Sequence, residues 1–304
     1  MNSLAAFTRF AKIIVLTVFL VILAGGVVRM TQSGMGCPDW PKCFGRWIPP
    51  TNEAQLPSNY KELYAFKYVD LSFNAYHTWI EYINRLLGAV LGVLLFIQLL
   101  WSLKFRKIRP ALLWLCLALV LITGFQGWLG SKVVEANLEV VKVTTHMIVA
   151  LLIAALSVTV VFICNRSATL YRNKILKIVS SITIVAGLMQ VVLGTQVREQ
   201  VDHVSASLNF EQRDKWISRL GNVFDTHRSF SILVAGLCIY LFVKYKHVPG
   251  MAAGARLILF MVFANIALGI IMSYFNIPAI AQPLHLLFSS VLITTLYYQW
   301  LKTG

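Results

Sequence analysis

Eight long apolar runs divide this 304-residue chain. They fall at about 11–31, 78–101, 111–131, 142–164, 175–197, 223–245, 254–275 and 281–301. Each approaches the ~20 residues that a helix rising ~1.5 Å per residue needs to cross a ~30 Å hydrocarbon core. The pattern predicts an all-α polytopic membrane protein with eight transmembrane helices. The first run is too long for a cleaved signal peptide. It leads into Arg29 and a Cys/Pro/Trp loop rather than a small-residue cleavage site, which marks it as a retained helix.

Composition agrees with this class. The chain is 58% hydrophobic and only 13% charged, and its mean hydropathy is +0.72, which excludes an ordinary soluble domain. The charges then set an orientation. Lys104, Arg106, Lys107 and Arg109 fill one short connection between runs. Arg166, Arg172, Lys174 and Lys177 fill another, and Lys244, Lys246 and Arg256 a third. Arg9, Lys12 and Lys302 flank the ends. No acidic residue lies among them. All 12 Asp and Glu fall on the other side or in the adjoining helix ends. The Lys/Arg bias predicts that both termini and the basic loops are cytoplasmic, in a multi-pass protein of the plasma membrane. The net charge of +15 is then mostly a topological signal. The basic residues are dispersed between apolar spans, which speaks against a nucleic-acid partner and leaves the lipid bilayer as the first one.

The outer side carries a large loop, 32–77, and a second long one, 198–222. In the first, Cys37 and Cys43 flank Pro-Asp-Trp-Pro-Lys. Their extracytoplasmic position favours a disulfide. A metal site is the lesser alternative, because no nearby His completes one. Cys116, Cys164 and Cys238 sit in or at the ends of apolar runs, as small buried hydrophobes do.

The runs repeat in kind, four and four. The first ends Gly25-Gly26-Val27-Val28-Arg29, and the fifth ends Leu193-Gly194-Thr195-Gln196-Val197-Arg198. The second opens Glu81-Tyr82-Ile83-Asn84-Arg85, and the sixth opens Asp225-Thr226-His227-Arg228. The fourth and eighth open on His146 and His285. Each half holds an even number of spans, so the expected repeats are parallel, two pseudo-symmetric four-helix bundles over 1–165 and 166–304. Asn84, His146, His227 and His285 all lie early in helices that run inward from the outer face.

Ionisable residues inside a membrane are costly and face a bundle interior or cavity. One histidine on each of two helices is a common way to hold haem iron from both faces. His227 and His285 are therefore candidate iron ligands in the second half. Arg29, Arg85, Arg198 and Arg228 are candidate contacts for haem propionates, with snorkelling to lipid headgroups as the alternative. Glu81 shares a helix face with Asn84, and His77 lies on that face about 10 Å further out. Position 224, where the second half would carry the matching carboxylate, is Phe. Glu81 is thus a candidate for proton or charge handling, or a structural partner of Arg85.

These residues resemble the haem A synthase family over essentially the whole chain. The most specific parts are Gly26-Val27-Val28-Arg29-Met30-Thr31-Gln32-Ser33-Gly34 running into Cys37-Pro38-Asp39-Trp40-Pro41-Lys42-Cys43, then Glu81 to Arg85, His146, His227-Arg228 and His285. The resemblance implies two parallel four-helix halves and oxidation of the C8 methyl of haem o to a formyl group, giving haem a for terminal oxidases. It implies haem b on His227 and His285, substrate haem o in the first half with His146 as an iron ligand, a catalytic Glu81 and a Cys37–Cys43 disulfide. It also implies haem O synthase as the substrate's source, besides an electron donor and a homo-oligomer that the residues do not specify. The departure is Asn84, where the family commonly has histidine. His77 replaces the ligand, or His146 alone holds the substrate iron, or the chain is a divergent member. Two other classes remain beside the enzyme. One is a dihaem membrane electron-transfer protein acting on quinol. The other is a haem-binding chaperone or transporter.

Overall fold

The computed structural model describes residues 2–64, 73–136, 138–165 and 171–304. Arg166 of the second basic connection, and residues 65–72 of the first outer loop, lie outside that set. The described residues form α1 (Asn2–Met30), a short α2 (Tyr60–Tyr64), α3 (Ala75–Ser102), α4 (Pro110–Glu135), α5 (Val140–Cys164), α6 (Lys174–Ser207), α7 (Asn222–Tyr245), α8 (Ala252–Tyr274) and α9 (Ala281–Lys302). Among them, β structure is limited to an isolated bridge between Cys43 and Arg46.

Seven of the long helices, α1 and α3 to α8, have the length and apolar composition to cross a membrane, and the chain is a multi-pass membrane protein. The eighth expected span, α9, has 22 residues, which gives about 33 Å of rise. Its composition is more polar. Ser290, Thr294 and Gln299 are buried, because α9 packs against α1, α5, α6 and α8. A helix surrounded by protein does not need a lipid-like surface, so hydropathy under-reads it.

The long helices pack as two closed rings. In one, α1 meets α3, α3 meets α4, α4 meets α5, and α5 returns to α1. In the other, α6 to α9 follow the same neighbour order. Helices α3 and α5 are therefore diagonal in the first ring, as α7 and α9 are in the second. The rings meet where α9 lies against α1 and α5, and where α5 meets α6.

Each ring is filled at the end that carries the chain termini. Phe7, Ile14, Leu95, Leu112, Leu119 and Ala154 close the first. Cys238, Leu241, Tyr245, Met251, Ile258 and Leu296 close the second. The fully buried Tyr245 pairs its hydroxyl with Ser180 Oγ at 2.7 Å, which satisfies a polar group in that core. Large side chains such as Leu16, Val93, Leu121 and Ile232 point outward, as lipid-facing residues do. The opposite end of each ring holds the histidines.

Two helix limits differ from the apolar runs. Helix α6 continues to Ser207, so what reads as the start of an outer loop is three further helical turns. A helix that has left the hydrocarbon can continue in polar residues, and the hydropathy signal stops before the hydrogen bonding does. Helix α3 begins at Ala75, which brings His77 into its first turn. Asn74 caps it, its Oδ1 accepting from the Tyr76 and His77 amides at 3.0 and 3.4 Å.

Candidate active site

Four half-buried polar positions share one construction. His146 on α5 faces Gly130 on α4, where an added Cβ would sit 3.3 Å from the ring Cε1. His227 on α7 faces Gly194 on α6 at the same 3.3 Å. His285 on α9 faces Gly269 on α8 at 4.0 Å, and Asn84 on α3 faces Gly25 on α1 at 4.0 Å. In each case a glycine in the second half of one long helix makes room for a polar side chain in the first half of the next. One turn before two of these glycines stands an amide that ties the pair together. Gln126 Nε2 donates to the His146 carbonyl and Gln190 Nε2 to the His227 carbonyl, both at 2.9 Å. Asn265 occupies the matching place before Gly269. One turn inward from the four polar residues are Gly88, Ala150, Ser231 and Ser289, all small.

These positions also share an unmet demand. His146 Nδ1, His227 Nδ1, His285 Nδ1 and Asn84 Oδ1 are buried without a hydrogen-bond partner, as are Gln126 Oε1, Gln190 Oε1 and Asn265 Oδ1. A buried polar atom left unpaired costs about 1–3 kcal/mol. In the second ring the two imidazoles face each other across the diagonal, with ring centroids 6.4 Å apart and planes at 61°.

The first ring differs by what covers it. Cys37 and Cys43 form a disulfide, as expected, and the loop around them is a small folded unit. Phe44 packs edge-on against Tyr64 and Phe73 at 5.7 and 5.6 Å. Asp39 accepts from the Phe44 and Gly45 amides. Gly36 lets this loop touch α3, since a Cβ there would lie 2.5 Å from the His77 carbonyl oxygen. The loop then caps Glu81, which is 4% exposed. Glu81 Oε2 accepts from the Cys37 amide at 2.9 Å. Glu81 Oε1 accepts from Arg85 Nη2 at 2.5 Å and Nε at 3.1 Å.

Arg85 completes the closure. Its remaining N–H groups donate to the carbonyls of Asp39, Lys42 and Cys37 at 2.6, 3.1 and 3.3 Å. All five guanidinium donors are thus engaged, which leaves none for a propionate. The pairing of Glu81 with Arg85 is what the structure shows for this carboxylate.

The other arginines divide into two cases. Arg29 and Arg198, from different rings, converge on Asp202 at 2.5 and 2.8 Å. Arg198 also donates to Gln282 Oε1 and to the Arg29 carbonyl. Two cations share one carboxylate there. Arg228 is the counterpart of Arg85 but has no covering loop. Its side chain is 64% exposed and its ion pair with Asp225 is 3.4 Å long. His77 is held by the first loop, its Nδ1 at 3.0 Å from Ser33 Oγ. It lies about 10 Å along α3 from Asn84.

The sequence model of the COX15-CtaA cytochrome oxidase assembly protein family matches residues 8–297. The chain belongs to this family. It is similar to the heme A synthase of Flavobacterium psychrophilum, at 23% identity over 92% of this chain and 93% of the relative. The enzyme of Flavobacterium johnsoniae is 21% identical over 92% of each. That of Shewanella oneidensis is 33% identical over 46% of this chain and 40% of the relative.

For this member of the assembly-protein family, glycines such as Gly25 and Gly194 stood out as marks of the repeat, but Gln190 and the packing of these glutamines and glycines against the histidines escaped the sequence reading. Their signal was present as Gln126-x-x-x-Gly130 and Gln190-x-x-x-Gly194, with Asn265-x-x-x-Gly269 as a third copy. Asp202 was missed because it sits past the apolar run that ends α6's membrane portion.

The contrast between Arg85 and Arg228 is testable. Arg85→Ala removes the counter-cation and two of the three hydrogen bonds of the buried Glu81, and the donors to three loop carbonyls, a loss of about 3–5 kcal/mol. Arg228→Ala removes an exposed pair and changes stability by less than about 1 kcal/mol. Unfolding in detergent, followed by circular dichroism, should separate the two variants clearly.

Proposed function

We propose that this protein is a haem A synthase, an oxidoreductase that converts the C8 methyl of haem o to a formyl group through two successive hydroxylations. The observation that carries this reading is the facing pair His227 and His285, 6.4 Å apart between ring centroids, in a chain of this family. Two imidazole nitrogens each about 2 Å from one iron, with about 1 Å from nitrogen to ring centre, place the centroids about 6 Å apart. The two imidazoles on diagonal helices, with the small residues Ser231 and Ser289 one turn below them, fit a flat, iron-centred ligand. Haem b held there would supply one-electron transfer.

The proposed architecture is two pseudo-symmetric four-helix halves, 1–165 and 166–304, with α9 as the eighth span. The termini are cytoplasmic and the histidine end faces out of the plasma membrane. The first half takes haem o, delivered from a haem O synthase. Gln190 and Gln126 orient His227 and His146 through their backbone carbonyls. Arg228, exposed beside its site, and the Arg29–Arg198 pair, which has more positive charge than Asp202 balances, are the propionate-binding candidates.

In the first half we assign the substrate iron to His146 alone. His77 is engaged with Ser33 in the loop, and Asn84, half-buried with an unpartnered Oδ1, holds the place across the ring from His146. Glu81 sits one turn out from Asn84, desolvated beneath the loop. A carboxylate fixed there stabilises positive charge developing at the reacting methyl and can accept a proton from it, while the loop keeps bulk water away. Nothing in this arrangement favours simple electron transfer, since the first half lacks a second imidazole.

Co-expression with a haem O synthase, followed by chromatography of extracted haem, tests the activity. Haem a or its alcohol intermediate is expected, and unchanged haem o alone would overturn the reading. Glu81→Gln should lower product by about 100-fold. His227→Ala should abolish the low-spin haem b spectrum.

The Asn84 assignment has its own readout in the purified protein. The haem of the first half should be high-spin, and Asn84→His should convert it to low-spin. A first-half haem that is already low-spin in the native chain, with the spectrum unaltered in Asn84→His, rules the assignment out.

A further inference from the structure

A second built feature lies at the opposite end of the molecule from the histidines, along the seam between the two rings. A groove of about 440 Å³ runs there between α1 and α5 on one side and α8 and α9 on the other. Phe19, Val158 and Leu257 line its apolar length. Lys12 and Lys302 line it too, at the end where both termini lie. From Lys302 back to Val291 the groove follows α9 for about 16 Å of helical rise, lengthwise to the membrane.

Its polar wall is specific. Gln299 is 1% exposed and lines the groove one turn from Lys302. Its Nε2 donates to the Met251 carbonyl at 2.7 Å, which fixes the amide, and its Oε1 is buried without a partner. That oxygen has no donor among the described residues. Lys302 Nζ donates to the Gly250 carbonyl at 2.8 Å and lies 4.6 Å over the Tyr298 ring. An ammonium has three donors, so two remain. Lys12 is exposed beside the same groove.

The occupant must therefore be long and apolar, with an anionic head and a hydroxyl donor next to it. We propose that the groove binds one anionic phospholipid with a hydroxyl-bearing headgroup. The phosphate lies against Lys12 and Lys302, the headgroup hydroxyl donates to Gln299 Oε1, and an acyl chain follows the seam. Basic pockets between membrane helices select anionic headgroups in this way. Both rings contribute walls, so the lipid binds only the assembled pair of halves and stabilises their association. This site is independent of the haem assignment.

Native mass spectrometry of the full chain, delipidated in neutral detergent and then offered lipids of matched acyl chains, tests it. Phosphatidylglycerol should be retained about 30-fold better than phosphatidylcholine, roughly five-fold from each lysine. Phosphatidylmethanol carries the same charge without the hydroxyl and should bind about five-fold more weakly than phosphatidylglycerol. The double variant Lys12→Gln/Lys302→Gln should lose the preference with its circular dichroism unchanged. Ala253→Trp should block retention with both lysines intact. Equal retention of phosphatidylglycerol and phosphatidylcholine, or an unchanged preference in the double variant, overturns the proposal.

Discussion

Inside a membrane, a buried polar atom has no water to turn to, and it must find a partner in the protein or in a ligand. The structure depends on this constraint at four matched places. Three imidazoles and one amide are brought into the interior of two helical rings and left with a free acceptor or donor. The fold spends much of its local design on holding them there. A glycine on the preceding helix makes the space, an amide one turn earlier grips the histidine's own carbonyl in two of the four, and a small residue clears the turn below. The tight apolar cores lie at the other end, so each ring is rigid where it is filled and open where it is polar.

The two rings answer the same constraint differently. In the second, two imidazoles face one another across the diagonal. In the first, asparagine stands where the partner imidazole would be, and a disulfide-closed loop is folded over the carboxylate beside it. Glu81 is buried because Arg85 gives it two hydrogen bonds and Cys37 a third. Arg85 in turn spends its other donors on the loop. The same arginine position in the second ring, Arg228, faces solvent with a long ion pair. The two rings thus share a neighbour order in their helices and differ in the loops that cover them.

Much of this was legible in the chain. Long apolar runs mark membrane helices because the bilayer sets both their length and their composition, and seven of the eight runs are helices that meet that standard. The eighth helix formed too, but its polarity belongs to an interior that hydropathy does not see. The end of α6 was misread for the opposite reason, since helical hydrogen bonding continues where apolar character stops. The histidines and Glu81 were visible as polar residues in apolar surroundings. So was Arg85 as a partner of Glu81, but the other contacts of the arginines were not. Arg85, Arg198 and Arg29 look alike in sequence as basic residues at helix ends, yet one locks a loop and two share Asp202 from opposite rings. The loop carbonyls of Arg85 and the reach of Arg29 to Asp202 are set by tertiary contacts over long sequence separations, which periodicity carries no information about.

The central claim is that each ring has a separately built haem slot, the second closed by two imidazoles. Gly194→Leu pushes a side chain into the place His227 occupies, and Gly130→Leu does the same at His146. Electron paramagnetic resonance of the purified, haem-loaded variants tests the claim most directly. The account predicts that Gly194→Leu loses the low-spin bis-imidazole signal and keeps the first-half haem, while Gly130→Leu keeps that signal and loses the other haem. A low-spin signal that survives in Gly194→Leu, or that both variants lose together, would contradict it.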